Sequence, residues 1–234
     1  MPYLFETHLH TSEASACAVL SGAEMARLCF ERGYSGIVVT DHFFNGYTAV
    51  PSDLPWNERA DIFVSGYINA KNEGEKLGLT VLFGIEFNAG GAEFLTYGLE
   101  PDFVYKHLDL DRLGAGEYIE LIQKNGGILS QAHPFREADY IDGIHLYPKA
   151  EAVEVINSAH RSIDFDRRAF LYAADRNKIM TAGGDSHSIH NLDGTGILFD
   201  NEIKTNTDFV NELRAGSYKL MLRGEEFYSN FFNV

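Results

Sequence analysis

Histidines and carboxylates recur in this sequence where strands should end. His8 and His10 stand two apart in ETHLHTSE, directly after the apolar start PYLF. Alternate residues of a strand share a face, so both rings would project the same way, which suits a metal ion. His42 follows VVTD, Glu86 follows VLFGI, His133 follows ILSQA, and Asp185 and His187 follow IMTAGG. Each alone has an ordinary explanation as a capping neighbour, a packed ring at a turn or an ion-pair partner. Taken together, they would be expensive to bury in one place without a cation. Mixed imidazole and carboxylate donors suit manganese, iron or zinc, while the lack of paired thiolates argues against a structural cysteine-type zinc site. A glutamate among them can bridge two ions. Water bound there becomes a nucleophile near neutral pH, and the cations offset charge on a reacting phosphoryl group.

For these side chains to meet, the strand ends that carry them must converge. Candidate strands at 2–8, 36–42, 79–87, 127–133, 151–157, 179–185 and 194–199 alternate with amphipathic stretches, and a hairpin strand is expected at 93–99. Several are dense in Val and Ile, as in parallel strands buried on both faces. SGAEMARLCFERG opens with Ser21 and Glu24 at capping-box spacing and should stop near Gly33. Further helices are expected at about 57–77, 111–125, 163–177 and 205–215. This alternation implies an α/β fold, either a parallel barrel or a doubly wound sheet. In a barrel, the C-terminal strand ends share one rim, where active sites are built. The segment Phe43–Pro55 is long for a strand-to-helix connection. It is either a lid over the site or a packed insertion.

A chain of 234 residues, 45% hydrophobic and 23% charged, fits one α/β domain spanning 1–234. Its net charge of -15 and pI near 4.9 oppose attraction to nucleic acid, so a small ligand is the expected partner. Cys17 and Cys29 form no CxxC pair, the usage of a reduced, cytoplasmic chain. No apolar run approaches the roughly 18 residues of a membrane-spanning helix, and the N-terminus lacks a signal-peptide layout. A soluble, unprocessed chain with no membrane partner is expected, and its oligomeric state is open.

In the order HLHTSE, TDHF, GIEF, AHPFR, VEVIN and GGDSH, the sequence resembles the PHP (polymerase and histidinol phosphatase) superfamily of metal-dependent phosphoesterases over nearly its whole length. The resemblance implies a distorted (β/α)7 TIM-like barrel holding two or three divalent ions. It would place His8, His10, Glu86 and Asp185 on a first ion, with Glu86 bridging to a second bound by His133, and His42 and His187 on a third. Members commonly carry an Asp or His where this chain has Ser15 and Ala16. Glu13, Cys17 or a water would then complete the third position. They also commonly carry a histidine on the hairpin strand, where this chain has Glu93 and Phe94. Glu93 is the candidate for the second ion, with His107, past that strand, as the alternative.

Arg136 follows His133 by three residues and is expected to bind phosphate; pairing with Glu137 or Asp139 is the plain alternative. Arg161 is a weaker candidate of the same kind. Glu154 and Asn157 have odd spacing, so a regular strand would turn only one inward, and Asn157, nearer the end, is expected to touch substrate or water. Asp41 should point away from His42 and play a supporting role. His160 is close enough to strand five to reach the rim, whereas His145 and His190 lie in polar loops. The expected activity is hydrolysis of a small-molecule phosphate ester, such as histidinol phosphate or a nucleotide, by a metal-bound hydroxide, with Asp185 or His187 shuttling a proton. An amidohydrolase-like metal hydrolase and a non-catalytic metal-binding relative are the alternatives, and a nuclease ranks below them.

Overall fold

The computed structural model describes residues 2–139 and 141–227. The chain runs β1 (Tyr3–Leu9), α1 (Gly22–Glu31), β2 (Gly36–Val39), α2 (Trp56–Leu77), β3 (Thr80–Phe83), β4 (Ile85–Ala89) and β5 (Ala92–Tyr97). It continues through α3 (Asp102–Lys106), α4 (Ala115–Lys124), β6 (Ile128–Gln131), β7 (Ala152–Asn157), α5 (Ile163–Asp175) and β8 (Ile179–Gly183). Last come β9 (Gly196–Phe199), α6 (Asn206–Ala215), β10 (Tyr218–Leu222) and β11 (Glu225–Glu226). Among the described residues no helix is long and apolar enough to cross a membrane.

The strands form two mixed sheets, in the orders β11-β10-β9-β1-β2-β3 and β4-β5-β6-β7-β8. The expectation of a distorted (β/α)7 TIM-like barrel is met in its α/β class; among the described residues the strands form two mixed sheets and no closed barrel. The main reason lies between β8 and β9. No crossover helix links them, only a short 3-10 turn at Ile189–Asn191, so β9 runs antiparallel to β1, from Tyr3↔Phe199 to Phe5↔Ile197. A parallel strand would have needed a longer crossover. With β9 on that half of β1, the end of β1 meets the segment after β8 in a parallel bridge between Leu9 and Ser186, in which His10 N–H donates to the Ser186 carbonyl and Ser186 N–H to the His8 carbonyl, both at 2.9 Å. The hairpin β4/β5 adds two further antiparallel pairings.

The sheets also meet at Gly84, where the expected strand 79–87 divides into β3 and β4. A Cβ at Gly84 would lie 3.0 Å or less from Thr40, Val38 and the Thr96 carbonyl, so the bend needs glycine. Just beyond it, His42 and Glu86 form an isolated parallel bridge. The ends of both sheets are thus held together although no continuous ladder joins them.

Helix α1 starts as the sequence predicted, with a capping box between Ser21 and Glu24, a feature whose loss typically costs about 1 kcal/mol. Its first residue, Gly22, lies so close to α2 that a Cβ would fall 2.0 Å from the Gly66 carbonyl oxygen. The two helices cover the same face, burying Met25, Ala26 and Cys29 of α1 against a core that includes Ala60, Phe63 and Val64 of α2. The segment Phe43–Pro55 resolves as a packed insertion with a rim. Phe43 is fully buried and meets Phe63 edge-on at 5.1 Å, while Ala49 N–H donates to Ala14. Tyr47, 66% exposed, faces a cleft at the strand ends.

Candidate metal centre

Alternation along β1 turns Glu6, His8 and His10 to one buried face. Glu6, fully buried like the two histidines, accepts hydrogen bonds from Gly184 N (2.8 Å), His8 N (2.9 Å) and Ser186 Oγ (3.2 Å). It ties β1 to the turn that carries Asp185. Burial pushes its carboxyl up to about 8 despite the backbone N–H groups of Gly184 and His8. The same period-two spacing that marked the histidines could have found Glu6.

Each histidine of the pair has one nitrogen fixed by a partner. His8 Nδ1 donates to Glu154 Oε1 at 2.9 Å. His10 Nδ1 lies 3.0 Å from Ser15 Oγ, which gives its own proton to Asp41 Oδ1 at 2.7 Å, so the imidazole is the donor. Asp41 also accepts from the Thr11 amide and hydroxyl, both at 2.6 Å, and burial pushes its carboxyl up to about 6 against those bonds. This is the supporting role expected of Asp41, and Ser15 acts as a tether between Asp41 and His10. The Nε2 atoms are thereby left as lone-pair donors facing inward.

They face Glu86 and Asp185. His8 Nε2 is 3.2 Å from Glu86 Oε1 and 3.4 Å from Asp185 Oδ1, and His10 Nε2 is 3.4 Å from Glu86 Oε2 and from Asp185 Oδ1. His42 Nδ1 approaches Glu86 Oε2 at 2.7 Å. His133 Nε2 lies 3.4 Å from Glu86 Oε1 and 3.5 Å from Glu93 Oε2. Glu86 is the hub, as a bridging carboxylate would be. Burial alone would raise its pKa, but His42 and His8 outweigh it and hold the carboxyl well below the usual range. The converse holds at His42, where Glu86 overcomes burial and lifts the imidazole to about 11.

The donor set fits a metal ion. His8 Nε2, His10 Nε2, His42 Nδ1 and Glu86 Oε2 are sealed from solvent, and their close imidazole–carboxylate approaches lack the geometry of hydrogen bonds. Such groups are costly unless something satisfies them. Four triads place one donor atom each within 4.8 Å of the others: His8–His10–Asp185, His8–Glu86–His133, His42–Glu86–Glu93 and His10–His42–His187. They share members, so the site is one connected cluster. Two of its residues, His133 (φ +28°) and Asp185 (φ +51°), hold left-handed backbone conformations unfavourable to side chains other than glycine.

Three expectations need correction, at Glu13, His107 and Glu154. Glu13 is turned away from the cluster: its carboxylate accepts from Gly22 N at 3.0 and 3.1 Å and from Asn69 at 2.9 Å, at the start of α1. His107 packs on Phe103 beside a separate cleft with Leu108 and Leu110. Asn157, which lines the cleft with His160 and Arg161, donates to Glu154 Oε2 at 3.0 Å and so braces that carboxylate. Glu154 also points inward, because the β7/β8 register shifts between Glu154 and Ile156. Its Oε2 additionally accepts from His133 N at 3.0 Å. The assumption of a regular strand hid this residue, and a bulge leaves no clear mark in the sequence.

Arg136 lies at the cluster, where it pairs with Asp185 Oδ2 and not with Glu137 or Asp139. His187 Nδ1 lies 2.8 Å from the Asp185 carbonyl oxygen, and its ring stacks on His10 with centroids 4.2 Å apart. Cys17 touches both His187 and His42; these contacts outweigh burial and bring its thiol down to about 7. His160 is held by Asp166 at 2.7 Å. His145 pairs with Asp142 in its loop, and His190 is exposed. A cleft of about 530 Å³ opens over the cluster, walled by Cys17, Tyr47, Asn88, Glu93, Arg136 and His187. A neighbouring cleft of about 730 Å³ shares Arg136, Asp185 and His187 and reaches His160 and Arg161.

No protein-family model and no curated protein matches the sequence. Solved structures do. A two-domain protein of Bacteroides vulgatus, named as containing a predicted PHP-like metal-dependent phosphoesterase, superposes with a TM-score of 0.73 at 16% identity. The match covers 97% of this chain but only 66% of that one, so this chain spans just under two thirds of its length. A Bifidobacterium adolescentis protein named a candidate metal-dependent phosphoesterase gives 0.54 at 14% identity over 80% of this chain and 90% of that one. A Chromobacterium violaceum protein named an amidohydrolase, solved with sulfate and no metal, gives 0.59 at 14% identity over 94% of this chain and 98% of that one. The chain therefore has the fold of proteins named PHP-like metal-dependent phosphoesterases.

Proposed function

We infer that the protein is a metal-dependent hydrolase that acts on a small phosphate ester. The observation that carries this reading is the convergence of sealed donor atoms from His8, His10, His42 and Glu86, whose close polar neighbours are one another and Asp185, beneath an open cleft. His8, His10, Glu86 and Asp185 would hold one ion, and Glu86 and His133 a second with Glu93, which lies 3.5 Å from His133 and groups with His42 and Glu86. Bound ions supply Lewis-acid charge and an activated water, the chemistry that ester hydrolysis near neutral pH requires.

The protein's own groups do the rest. Arg136 presents its guanidinium at the cleft wall beside Asp185 and is suited to grip two oxygens of a phosphoryl group. Glu154 and Ser15 hold His8 and His10 in the tautomers that aim Nε2 inward. Asp185 is committed through one oxygen to the His8–His10 side and through the other to Arg136, which leaves it no free oxygen for proton transfer. His187, 26% exposed at its side chain, remains on the cleft wall as either a ligand or a proton carrier. The amidohydrolase alternative rests on the Chromobacterium violaceum neighbour's name.

The test is hydrolysis of a panel by protein depleted of metal and reloaded with manganese, iron or zinc. The panel contains p-nitrophenyl phosphate, histidinol phosphate, nucleoside monophosphates and 3′,5′-bisphosphates, with amides and lactones alongside. Metal-dependent phosphate release is expected, and Arg136→Lys should lower kcat/KM about tenfold or more by losing the forked contact. Turnover of amides or lactones alone would replace the phosphoesterase reading. Silence throughout, in protein shown to hold its ions, would leave a binding protein.

A further inference from the structure

We propose that Tyr47 sets the substrate class of the centre: its exposed ring is a platform for a flat, uncharged leaving group, so the esters taken carry an aromatic or heteroaromatic ring beside the phosphoryl group. The proposal rests on the phosphate-ester reading of this same site and deepens it.

Two clefts leave the cluster, and one of them lies over the metal donors. The cleft of about 530 Å³ is lined by donors of both proposed ion positions, Glu86, Glu93 and His133 among them, whereas the cleft of about 730 Å³ meets only Asp185 and His187. A phosphoryl group is far smaller than such a pocket, so the remaining space belongs to whatever the ester carries. Beyond the donors and Cys17, the walls of the first cleft are Tyr47, Asn88 and Arg136. Arg136 is the one lysine or arginine on that wall among the described residues, and the phosphoryl group takes it. A second phosphate or carboxylate on the substrate would then face Glu93 and the Asn88 amide with no lysine or arginine to meet it, in a chain of net charge -15. The leaving group that fits there is uncharged.

Tyr47 supplies the surface for it. The backbone around it is fixed on both sides: Ala16 N–H donates to the Tyr47 carbonyl at 3.0 Å, and Gly46 N–H donates to the Phe43 carbonyl at 2.8 Å. Thr48 bridges to Ser15, and its hydroxyl donates to the Ala14 carbonyl at 3.0 Å. Other aromatics of the same insertion turn inward. Phe43 is fully buried, and Phe44 packs edge-on against Trp56 and Phe63. Tyr47 remains 66% exposed on the cleft, and among the described residues its side chain has neither a hydrogen-bond partner nor a ring partner. Val19, on the loop that Ala16 ties to Tyr47, extends this apolar rim; it is exposed too, and its N–H donates to the His187 carbonyl at 3.2 Å. An aromatic face held on an anchored turn beside the reacting centre gains most from another flat ring.

The experiment is calorimetric titration of the full chain, reloaded with zinc and separately with manganese, with two pairs of unreactive ligands. Phenylphosphonate is compared with methylphosphonate, and benzohydroxamate with acetohydroxamate, which chelate a metal without a phosphoryl group. The wild type is expected to bind the phenyl member of each pair about tenfold more tightly. Tyr47→Phe should keep that preference. Tyr47→Ala and Tyr47→Leu should reduce it to about twofold or less while binding methylphosphonate as the wild type does, which separates loss of the platform from damage to the centre. A negative charge on the ring, in 4-carboxyphenylphosphonate, should cancel most of the gain. Equal binding within each pair by the wild type overturns the proposal, as does a phenyl preference that survives in Tyr47→Ala, or tighter binding of the carboxylated ring than of the plain one. The proposal and the phosphate-ester reading fail separately. Methylphosphonate binding without a phenyl preference removes the platform alone, whereas a Tyr47-dependent preference among hydroxamates, in protein that binds neither phosphonate, upholds the platform and removes the phosphate ester.

Discussion

Glu154→Gln should weaken metal binding at the centre by about 10–100-fold, or about 1.4–2.8 kcal/mol. The replacement keeps the size of the side chain but exchanges one acceptor oxygen for an NH2 donor. In the native protein Oε1 accepts from His8 Nδ1 at 2.9 Å, while Oε2 accepts from His133 N and Asn157 Nδ2, both at 3.0 Å. If the amide nitrogen faces His8, that ring must shift its proton to Nε2. The atom lying 3.2 Å from Glu86 and 3.4 Å from Asp185 then loses the lone pair a metal needs. If the nitrogen faces the other way, it opposes two N–H donors, one at the constrained backbone of His133. Both orientations disturb a ligand. Zinc affinity is measured by competition with a chromophoric chelator, with Glu151→Gln as control, since Glu151 pairs with Arg214 at the surface. Affinity within twofold of wild type would refute the tautomer argument, as would an equal loss in the control.

Two further outcomes follow from groups around the centre. Glu13→Gln should leave the number of bound ions unchanged and lower stability by at most about 1 kcal/mol, because Glu13 serves the start of α1; loss of an ion in metal analysis would show otherwise. Glu6 gives the metal-free chain a pH dependence. Burial raises its folded pKa from 4.5 to about 8, so the folded state keeps a proton that the unfolded chain releases. That contribution is full below about 4.5 and is lost as pH rises through about 8, a decline on the order of a few kcal/mol. Glu6→Gln stays neutral and should flatten the trend in urea denaturation across that range; an unchanged slope would exclude Glu6 as its source.

The residues legible in advance share a property: each stands at the end of a strand or in the turn just after it. His8, His10, His42, Glu86, His133, Asp185 and His187 do assemble, because hydrophobic strands put their ends side by side whatever the exact sheet order. Residues that sequence reasoning misplaced depend on local irregularity. Glu154 comes inward only through a register shift, and Asn157 braces it. Glu13 is near the centre in sequence, but the free N–H at the start of α1 attracts its carboxylate.

The α/β class, most helix positions and the candidate donors could be read from the chain, since hydrophobic period, capping residues and side-chain chemistry are local properties of residue types. Tertiary structure decided how the strands close. A connection without a helix reverses β9 against β1, and a glycine bend at Gly84 divides a strand between two sheets. It also decided which nitrogen of each histidine is free, because the partners that fix His8 and His10, Glu154 and the Ser15–Asp41 pair, lie 146, 5 and 26 residues apart along the chain. Those partners meet only when folding buries them together. Periodicity reports which face a side chain takes, but long-range pairing sets what waits on that face.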